Sequence, residues 1–316
     1  MACIALSRIM RKMSSFNLVV ILGATATGKT QVAVRVARAL GGEIISADSR
    51  QVYRGMDLGT GKDLAEYGEI PYHLVDIRDP GEDFSVFDFK KAFAHSFEAI
   101  QSRGRLPILA GGTGLYLESV LLDYQLPPVP ENLALREEAP SRPLAELQER
   151  LKKARPDLHN STDLTDPRRL IRALEIAEFG LANPLAGIDL PGLRPIVFGI
   201  KWDREVLRRR ITRRLRERID GGMIAEVKYL HQAGLSFEKL DFYGLEYRYG
   251  SLFLKGELNR NDTFQKLNSA IHQFAKRQET WFRRMERRGV VIHWVDGNDE
   301  PAEAILKFLR SLGPAS

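Results

Sequence analysis

One cysteine, Cys3, is all that this chain of 316 residues contains. A single thiol excludes an internal disulfide framework and a cysteine zinc cluster, and it fits a reducing, cytoplasmic setting. No apolar stretch approaches the roughly 18 residues of a membrane span, so no membrane partner is expected. Internal repeats and low-complexity tracts are missing too, which sets aside solenoids and compositionally biased linkers. The first 16 residues hold no acid, only the cations Arg8, Arg11 and Lys12. A weak transit peptide reads this way. A disordered basic tail over 1–16 is the preferred expectation, because Met10 and Met13 offer later starts.

The rest is globular in character: 44% hydrophobic, 28% charged, and long enough for a large core and one or two domains. A net charge of +6 and a pI near 9.4 favour an anionic partner, nucleic acid first.

The most informative stretch is Gly23-Ala24-Thr25-Ala26-Thr27-Gly28-Lys29-Thr30. It follows the apolar run Leu18 to Leu22 and precedes Val32, Val36, Ala39 and Leu40 at helical spacing. Strand, glycine loop and helix are the context in which G-x-x-x-x-G-K-[ST] cradles phosphates. Backbone N–H groups close around the anion, and the helix N-terminus adds partial positive charge. Lys29 would reach the terminal phosphates and the Thr30 hydroxyl would bind Mg²⁺. The ligand class is a di- or triphosphate; the loop does not name the reaction.

Further strands are expected at Glu43–Ala47, His73–Asp76, Leu106–Ala110, Ile196–Ile200 and Val290–Val295. Helical stretches lie between them, notably Phe87–Arg103. This alternation predicts an α/β fold, a phosphate-loop parallel sheet flanked by helices. Proline clusters bracket a region of different composition, so 123–195 is expected to be a mostly helical insertion domain. The core would then be 17–122 plus 196–316, with basic helices at Arg204–Ile219 and Thr263–Arg287. A monomer is expected.

Ligands of such sheets sit beyond the carboxyl ends of the strands. Asp48 falls there, in Ile44-Ile45-Ser46-Ala47-Asp48-Ser49-Arg50-Gln51. Three readings stay open: a ligand of Mg²⁺, a base that takes a proton from a nucleophile beside the phosphates, or a plain helix cap. Asp76 is the rival metal carboxylate. Gly111-Gly112-Thr113-Gly114 is a second glycine turn before a helix and could bring the Thr113 hydroxyl to the same phosphates. In the basic helix, Arg210 and Arg214 are four apart and expected to stack together. Lys276-Arg277-Gln278-Glu279-Thr280-Trp281-Phe282-Arg283 interleaves aromatics with cations, a surface suited to RNA, unless Trp281 and Phe282 are simply core.

Taken together, GATATGKT, ISADSRQVYRGMDLGTGK, HLVDIRDP, FSVFDF, LPILAGGTGLYLESVL, DPRRLIRALEI, GGMIAEV and FAKRQETWFRR span nearly all of the chain. In that order they resemble the bacterial tRNA dimethylallyltransferases, also called tRNA isopentenyltransferases. The resemblance implies transfer of a dimethylallyl group from dimethylallyl diphosphate to N6 of adenosine 37, in the tRNA anticodon stem-loop. It puts the diphosphate on Gly23 to Thr30, makes Asp48 the general base, and sets Thr113, Lys29 and Arg214 around the reacting groups. It matches Asp48, Ser49, Arg50 and Gln51 to tRNA-contact segments. Arg168, Arg169, Leu170, Ile171 and Arg172 match a second such segment. Gly244, Tyr247 and Arg248, and then Lys276, Arg277, Gln278, Trp281 and Arg283, match two more.

This chain departs from the family pattern in places. Ala24 replaces a proline, Asp163-Leu164-Thr165-Asp166 replaces His-Pro-Asn-Asp, and Pro127–Ser141 is shorter than usual. Gly244-Leu245-Glu246-Tyr247-Arg248 stands for Gly-Tyr-Arg, and Arg218 stands where methionine is common. The zinc finger of many eukaryotic members is absent, which points to a bacterial member. Three alternative functions compete: an adenylate (AMP or ATP) dimethylallyltransferase, a small-molecule phosphate-loop kinase, and an RNA-binding switch without chemistry. The first usually lacks a large insertion and a basic aromatic helix, both of which are expected here.

Overall fold

The computed structural model of the chain describes residues 16–124, 129–154, 165–182, 188, 190 and 192–312. The expected disordered tail falls on 1–16, of which 1–15 lie outside the described residues. Pro127, Asp163 and Leu164 do as well.

Strand β1 (Leu18–Gly23) is apolar throughout and buried on both faces, as a central parallel strand must be. Beside it lie β2 (Gly42–Ala47), β3 (Tyr72–His73), β4 (Leu106–Gly111), β5 (Pro195–Lys201) and β6 (Ile292–Asp296). They form a six-stranded parallel sheet in the order β3-β2-β4-β1-β5-β6. Each expected strand is there, but β3 is shorter than the expected His73–Asp76. Leu74 and Asp76 take positive φ, 63° and 55°, which a strand cannot hold. Asp76 is bent out of line, its N–H going to the Gln51 carbonyl and its carboxylate to the buried Lys62 ammonium.

Side chains of β1 alternate between two cores. Val19 and Ile21 pack under helix α1 (Lys29–Leu40) through Val32 and Val36. Leu18, Val20 and Leu22 meet Phe89, Phe93 and Phe97 of α2 (Val86–Ser102) and Leu117 of α3 (Gly114–Leu121). Helix α2 starts at a capping box in which Ser85 and Asp88 bond each other's backbone N–H. Phe16, assigned by the sequence to the tail, is buried in the first core.

The chain divides into two compact units. One joins the chain up to Leu122 with the chain from Leu190 onward; the other is Asp123–Asp189. The expected insertion ran to 195, but Leu190, Leu193 and Arg194 belong with the sheet unit: the leucines pack on its core and Asn17 Oδ1 accepts the Arg194 N–H at 2.7 Å. The smaller unit contains α4 (Leu133–Glu138), α5 (Leu144–Ala154) and α6 (Pro167–Ala182) around Leu135, Leu147, Leu151, Leu170 and Leu174. At its centre the buried Glu175 carboxylate takes bonds from Arg136, Arg172 and the Asn132 N–H.

The C-terminal half of the sheet unit is helical: α7 (Arg204–Asp220), α8 (Met223–Gln232), α9 (Phe237–Phe242), α10 (Leu245–Leu254), α11 (Arg260–Arg287) and, after β6, α12 (Pro301–Ser311). Helices α7 and α11 form a third core through Leu207, Ile211, Leu215, Leu267, Ile271 and Ala275. Glu226 of α8 anchors the strap that follows Met56. Its carboxylate accepts the N–H groups of Asp57, Leu58 and Gly59 at 2.8–3.0 Å and the Tyr247 hydroxyl at 2.7 Å. Removing it leaves those donors without a partner. Glu226→Ala is therefore expected to destabilise the chain by roughly 2–3 kcal/mol. The check is a lowered urea midpoint with an unchanged slope.

Candidate active site

After β1 the chain curls through the loop into α1. Ala26 at φ 64° and Gly28 at φ 82° occupy the left-handed region, so the backbone folds back on itself. Thr27 Oγ1 closes the curl from within, donating to the Ala24 carbonyl at 2.9 Å. A Cβ on Gly23 would stand 2.6 Å from that hydroxyl, which explains the first glycine.

Neighbouring elements brace the loop from outside. Ala24 and Ala26 are buried in the α7–α11 core. The Trp202 indole donates to the Thr27 carbonyl at 3.0 Å, and Arg210 Nε donates to the Ala26 carbonyl at 2.9 Å. The Arg210 guanidinium also lies over Trp202, 4.1 Å from the ring centre. Arg214 donates to Thr25 Oγ1. Arg210 and Arg214 were expected to stack on each other; each instead takes its own acceptor on the loop, since like charges gain more from oxygen than from one another.

Gln278 ties the two glycine loops together. It accepts the Thr25 N–H at 2.8 Å and donates to the Gly112 carbonyl at 2.9 Å. Thr113 sits at the head of α3, its N–H on the Ala47 carbonyl at 3.1 Å and its Oγ1 accepting the Ser49 N–H at 3.0 Å. A Cβ on Gly111 would be 2.2 Å from the Ala47 carbonyl oxygen, so β2 and β4 approach closely only because glycine stands there.

Asp48 lies at the end of β2, half-buried. One carboxylate oxygen accepts the Arg50 N–H at 3.0 Å, a local turn, while no helix follows for it to cap. The other oxygen has no hydrogen-bond partner among the described residues. Asp76, the rival, is spent on Lys62, which also pairs with Asp57 and the Tyr53 carbonyl.

The charges around the loop are crowded. Burial pushes the Lys29 ammonium down to about 8; Asp48 opposes the shift, and Arg214 and Arg218 add to it. Arg214 is drawn down to about 10, first by burial and then by Arg218, with Glu246, Asp63 and Asp48 opposing. Glu246 is shifted up by burial. Cations poorly solvated and close to one another are stabilised by an anion placed among them. The first N–H groups of α1 lack helical partners and point the same way. The Thr30 hydroxyl is free of protein partners among the described residues.

Some residues matched to RNA contacts lie elsewhere in the structure. Tyr247 is fully buried, its hydroxyl on Glu226, and Leu170 is core of the smaller unit. Both are corrected to packing residues, because neither presents surface to a partner. Gln278 is buried as the bridge between the loops. Arg172 is held by the Val129 carbonyl and Glu175, and Ile171 is half-buried beside it. Arg168 and Arg169 are exposed at the start of α6, their N–H groups capped by Asp166. Arg50 lies beside Asp48 with its guanidinium 5.0 Å from the ring centre of exposed Phe242. Ser49 and Gln51 flank it, Gln51 donating to the Gly61 carbonyl at 3.3 Å. Gly244, at φ 136°, turns the chain between α9 and α10, and Arg248 is exposed next to Asp241. Lys276, Arg277 and Arg283 project to solvent from α11. Trp281 is half-buried, its indole on Glu118 at 2.9 Å, whereas Phe282 is core.

Sequence reasoning missed Trp202, Glu226 and the bridging role of Gln278. Only Gln278 carried a signal, as the one uncharged polar residue on the inward stripe Ile271, Ala275, Gln278, Phe282 of α11.

The depressed Lys29 fixes a pH dependence. A bound diphosphate favours the charged lysine, so the full attraction exists below about pH 8 and binding must draw in a proton above it. Titration of pyrophosphate near pH 8.5 in buffers of different ionisation enthalpy should show proton uptake that is lost in Lys29→Met.

Comparison with known proteins follows the same lines. Residues 51–285 match the model of the IPP transferase family, and residues 16–69 match that of isopentenyl transferases. The chain is 60% identical to tRNA dimethylallyltransferase 1 of Geotalea uraniireducens, over 94% of this chain and 98% of that protein. It is 49% identical to tRNA dimethylallyltransferase 2 of Shewanella sediminis, over 95% and 100%. A crystal structure of the full-length tRNA isopentenylpyrophosphate transferase of Bacillus halodurans aligns with a TM-score of 0.68 at 33% identity, covering 94% of this chain and 95% of that one. A eukaryotic dimethylallyltransferase acting on tRNA shares the fold, with a TM-score of 0.76 at 23% identity. The phosphate cradle at the end of β1, with a free carboxylate oxygen beside it, thus sits in a chain that belongs to the IPP transferase family of tRNA dimethylallyltransferases.

Proposed function

We propose that the chain transfers a dimethylallyl group from dimethylallyl diphosphate to the exocyclic N6 of an adenosine, number 37 beside the anticodon of tRNA. The observation that carries this reading is Asp48, with one oxygen free, within electrostatic reach of Lys29 beyond the carboxyl ends of the strands. In the transfer the N6 lone pair forms a bond to C1 of the allyl group. The C1–O bond breaks, and its electron pair leaves on the diphosphate. The N6 proton passes to Asp48. An adenine amine is a weak nucleophile, so removal of that proton as the bond forms lowers the barrier. Lys29, Arg214 and the N–H groups of α1 face the charge that grows on the leaving diphosphate.

Thr113 and Ser49, bonded to each other, hold the turn that carries Asp48. Trp202 and Arg210 keep the loop curled so that its N–H groups stay aimed. Mg²⁺ fits this loop, because the Thr30 hydroxyl, free among the described residues, is a hard oxygen ligand. No group of three or more His, Cys, Asp and Glu among the described residues could hold a metal alone. Such a site suits an ion that keeps water and binds through substrate phosphates. When bound it would supply further neutralisation of the diphosphate.

The target base must leave its stack to reach the loop. Arg50 over the exposed Phe242 ring gives a cation and an aromatic face close to Asp48 for that purpose. Among the described residues, no helix is long and apolar enough to cross a membrane.

Two experiments test this reading. Asp48→Asn should lower the single-turnover rate with tRNA by about 10²- to 10⁴-fold while donor binding stays near normal. If high Mg²⁺ restores the rate, Asp48 is a metal ligand and the base lies elsewhere. Replacing the exposed Lys276, Arg277 and Arg283 with alanine should weaken tRNA binding and lower its salt slope by roughly 0.7–0.9 for each phosphate no longer neutralised. Donor affinity should not change, and an unaltered slope would show a merely solvated surface.

A further inference from the structure

Arg218 is a buried cation that the scheme above leaves unused. Its side chain is only 9% exposed, yet Nη2 has no hydrogen-bond partner. The nearest carboxylate oxygen, Asp63 Oδ2, is 3.8 Å away, beyond hydrogen-bond reach. Asp63 itself is half in solvent, so it is a weak counter-charge. A buried guanidinium donor without an acceptor is costly, and a bound anion is one partner that would satisfy it.

Its position says which ligand. Arg218 lies one turn beyond Arg214 on the same face of α7, and Arg214 touches Thr25 of the phosphate loop. The two arginines line one cavity with Glu246 and the apolar Ile211, Leu215 and Ile271. The Arg218 tip rests over Gly61, where a Cβ would stand 2.1 Å from Nη2. The Gly61 carbonyl is held by Gln51, three residues after Asp48. Arg218 therefore lies between Arg214, which touches the phosphate loop, and the strap that follows Asp48. Its charge is felt at both Lys29 and Arg214.

We propose that Arg218 is a further diphosphate-binding residue, whose free Nη2 donates to an oxygen of the prenyl diphosphate held on the loop. The proposal rests on the diphosphate site described above. Arg218 stands where the family resemblance leads one to expect methionine, so the contact is a feature of this chain beyond the shared machinery. Arginine suits the role because its planar fork can serve two oxygens at once.

The test is calorimetric titration of the full chain with inorganic pyrophosphate and Mg²⁺. Arg218→Met keeps the length and removes the charge, and should weaken pyrophosphate by about tenfold or more. Binding of tRNA should stay within about twofold. Pyrophosphate affinity within about twofold of wild type overturns the proposal, and so does a loss confined to tRNA, which would give Arg218 to an RNA phosphate. If Arg218→Met does not fold by circular dichroism, Arg218→Lys is read in its place: about threefold weaker binding is expected, and unchanged affinity overturns the proposal. Lys29→Ala, run alongside, separates the two possible failures. If it binds pyrophosphate like wild type, the diphosphate site itself is misplaced. If it loses binding while the Arg218 variants do not, only the role of Arg218 falls.

Discussion

A phosphate loop must present its N–H groups inward before any ligand arrives to hold them there. In this chain that constraint is met by occupying the outward carbonyls. Trp202 takes the Thr27 carbonyl, Arg210 takes that of Ala26, and Thr27 takes that of Ala24. Two of those donors come from α7 and the turn before it, far along the chain. The fold of the C-terminal half is therefore what keeps the N-terminal loop in shape. Gln278 of α11 extends the bracing to the second glycine turn, and with it to Thr113 and Ser49 beside Asp48.

The same bracing has an electrostatic consequence. Arginines that hold a loop by its oxygens must come close to it, and so Arg210 and Arg214 gather there, with Arg218 one turn further along. The cluster is poorly solvated, which is why Lys29 and Arg214 are both pulled down. Glu246, Asp48 and Asp63 offset part of that cost, and Glu246 is itself shifted up by its burial. A diphosphate placed in the cluster would stabilise the charged forms of Lys29 and Arg214. Preorganised charge of this kind favours the state in which the anion is most negative, the departing diphosphate, over the ground state.

A second set of charges is structural. Lys62 is wholly buried with Asp57, Asp76 and the Tyr53 carbonyl, and Glu226 gathers three backbone N–H groups. Together they pin the long strap between β2 and β3, which contains little regular structure of its own. Asp76 shows why a carboxylate near a strand end is not by itself a catalytic signal. Its partner lies fourteen positions earlier, on that strap, and the pairing consumes it.

The sequence by itself determined the sheet, the phosphate loop and the acidic residue at the end of β2. Those features rest on local physics: continuous apolar runs for parallel strands, glycines where the backbone must turn left-handed, and a helix that starts at Lys29. The helices at Phe237–Phe242 and Leu245–Leu254 escaped notice, because a short helix carries too few turns for its periodicity to stand out. Nor could local pattern tell Tyr247 from a surface aromatic, since its burial depends on Glu226 and on the core built by Val52, Tyr53 and Tyr243. Which arginines of α7 face the loop, that Asp76 is ion-paired to buried Lys62 while Asp48 makes no ion pair among the described residues, and that Gln278 joins two loops were decided only by tertiary structure. Each depends on a partner more than ten residues away in sequence or on the side from which a helix is approached, and neither is written in the spacing of the residues themselves.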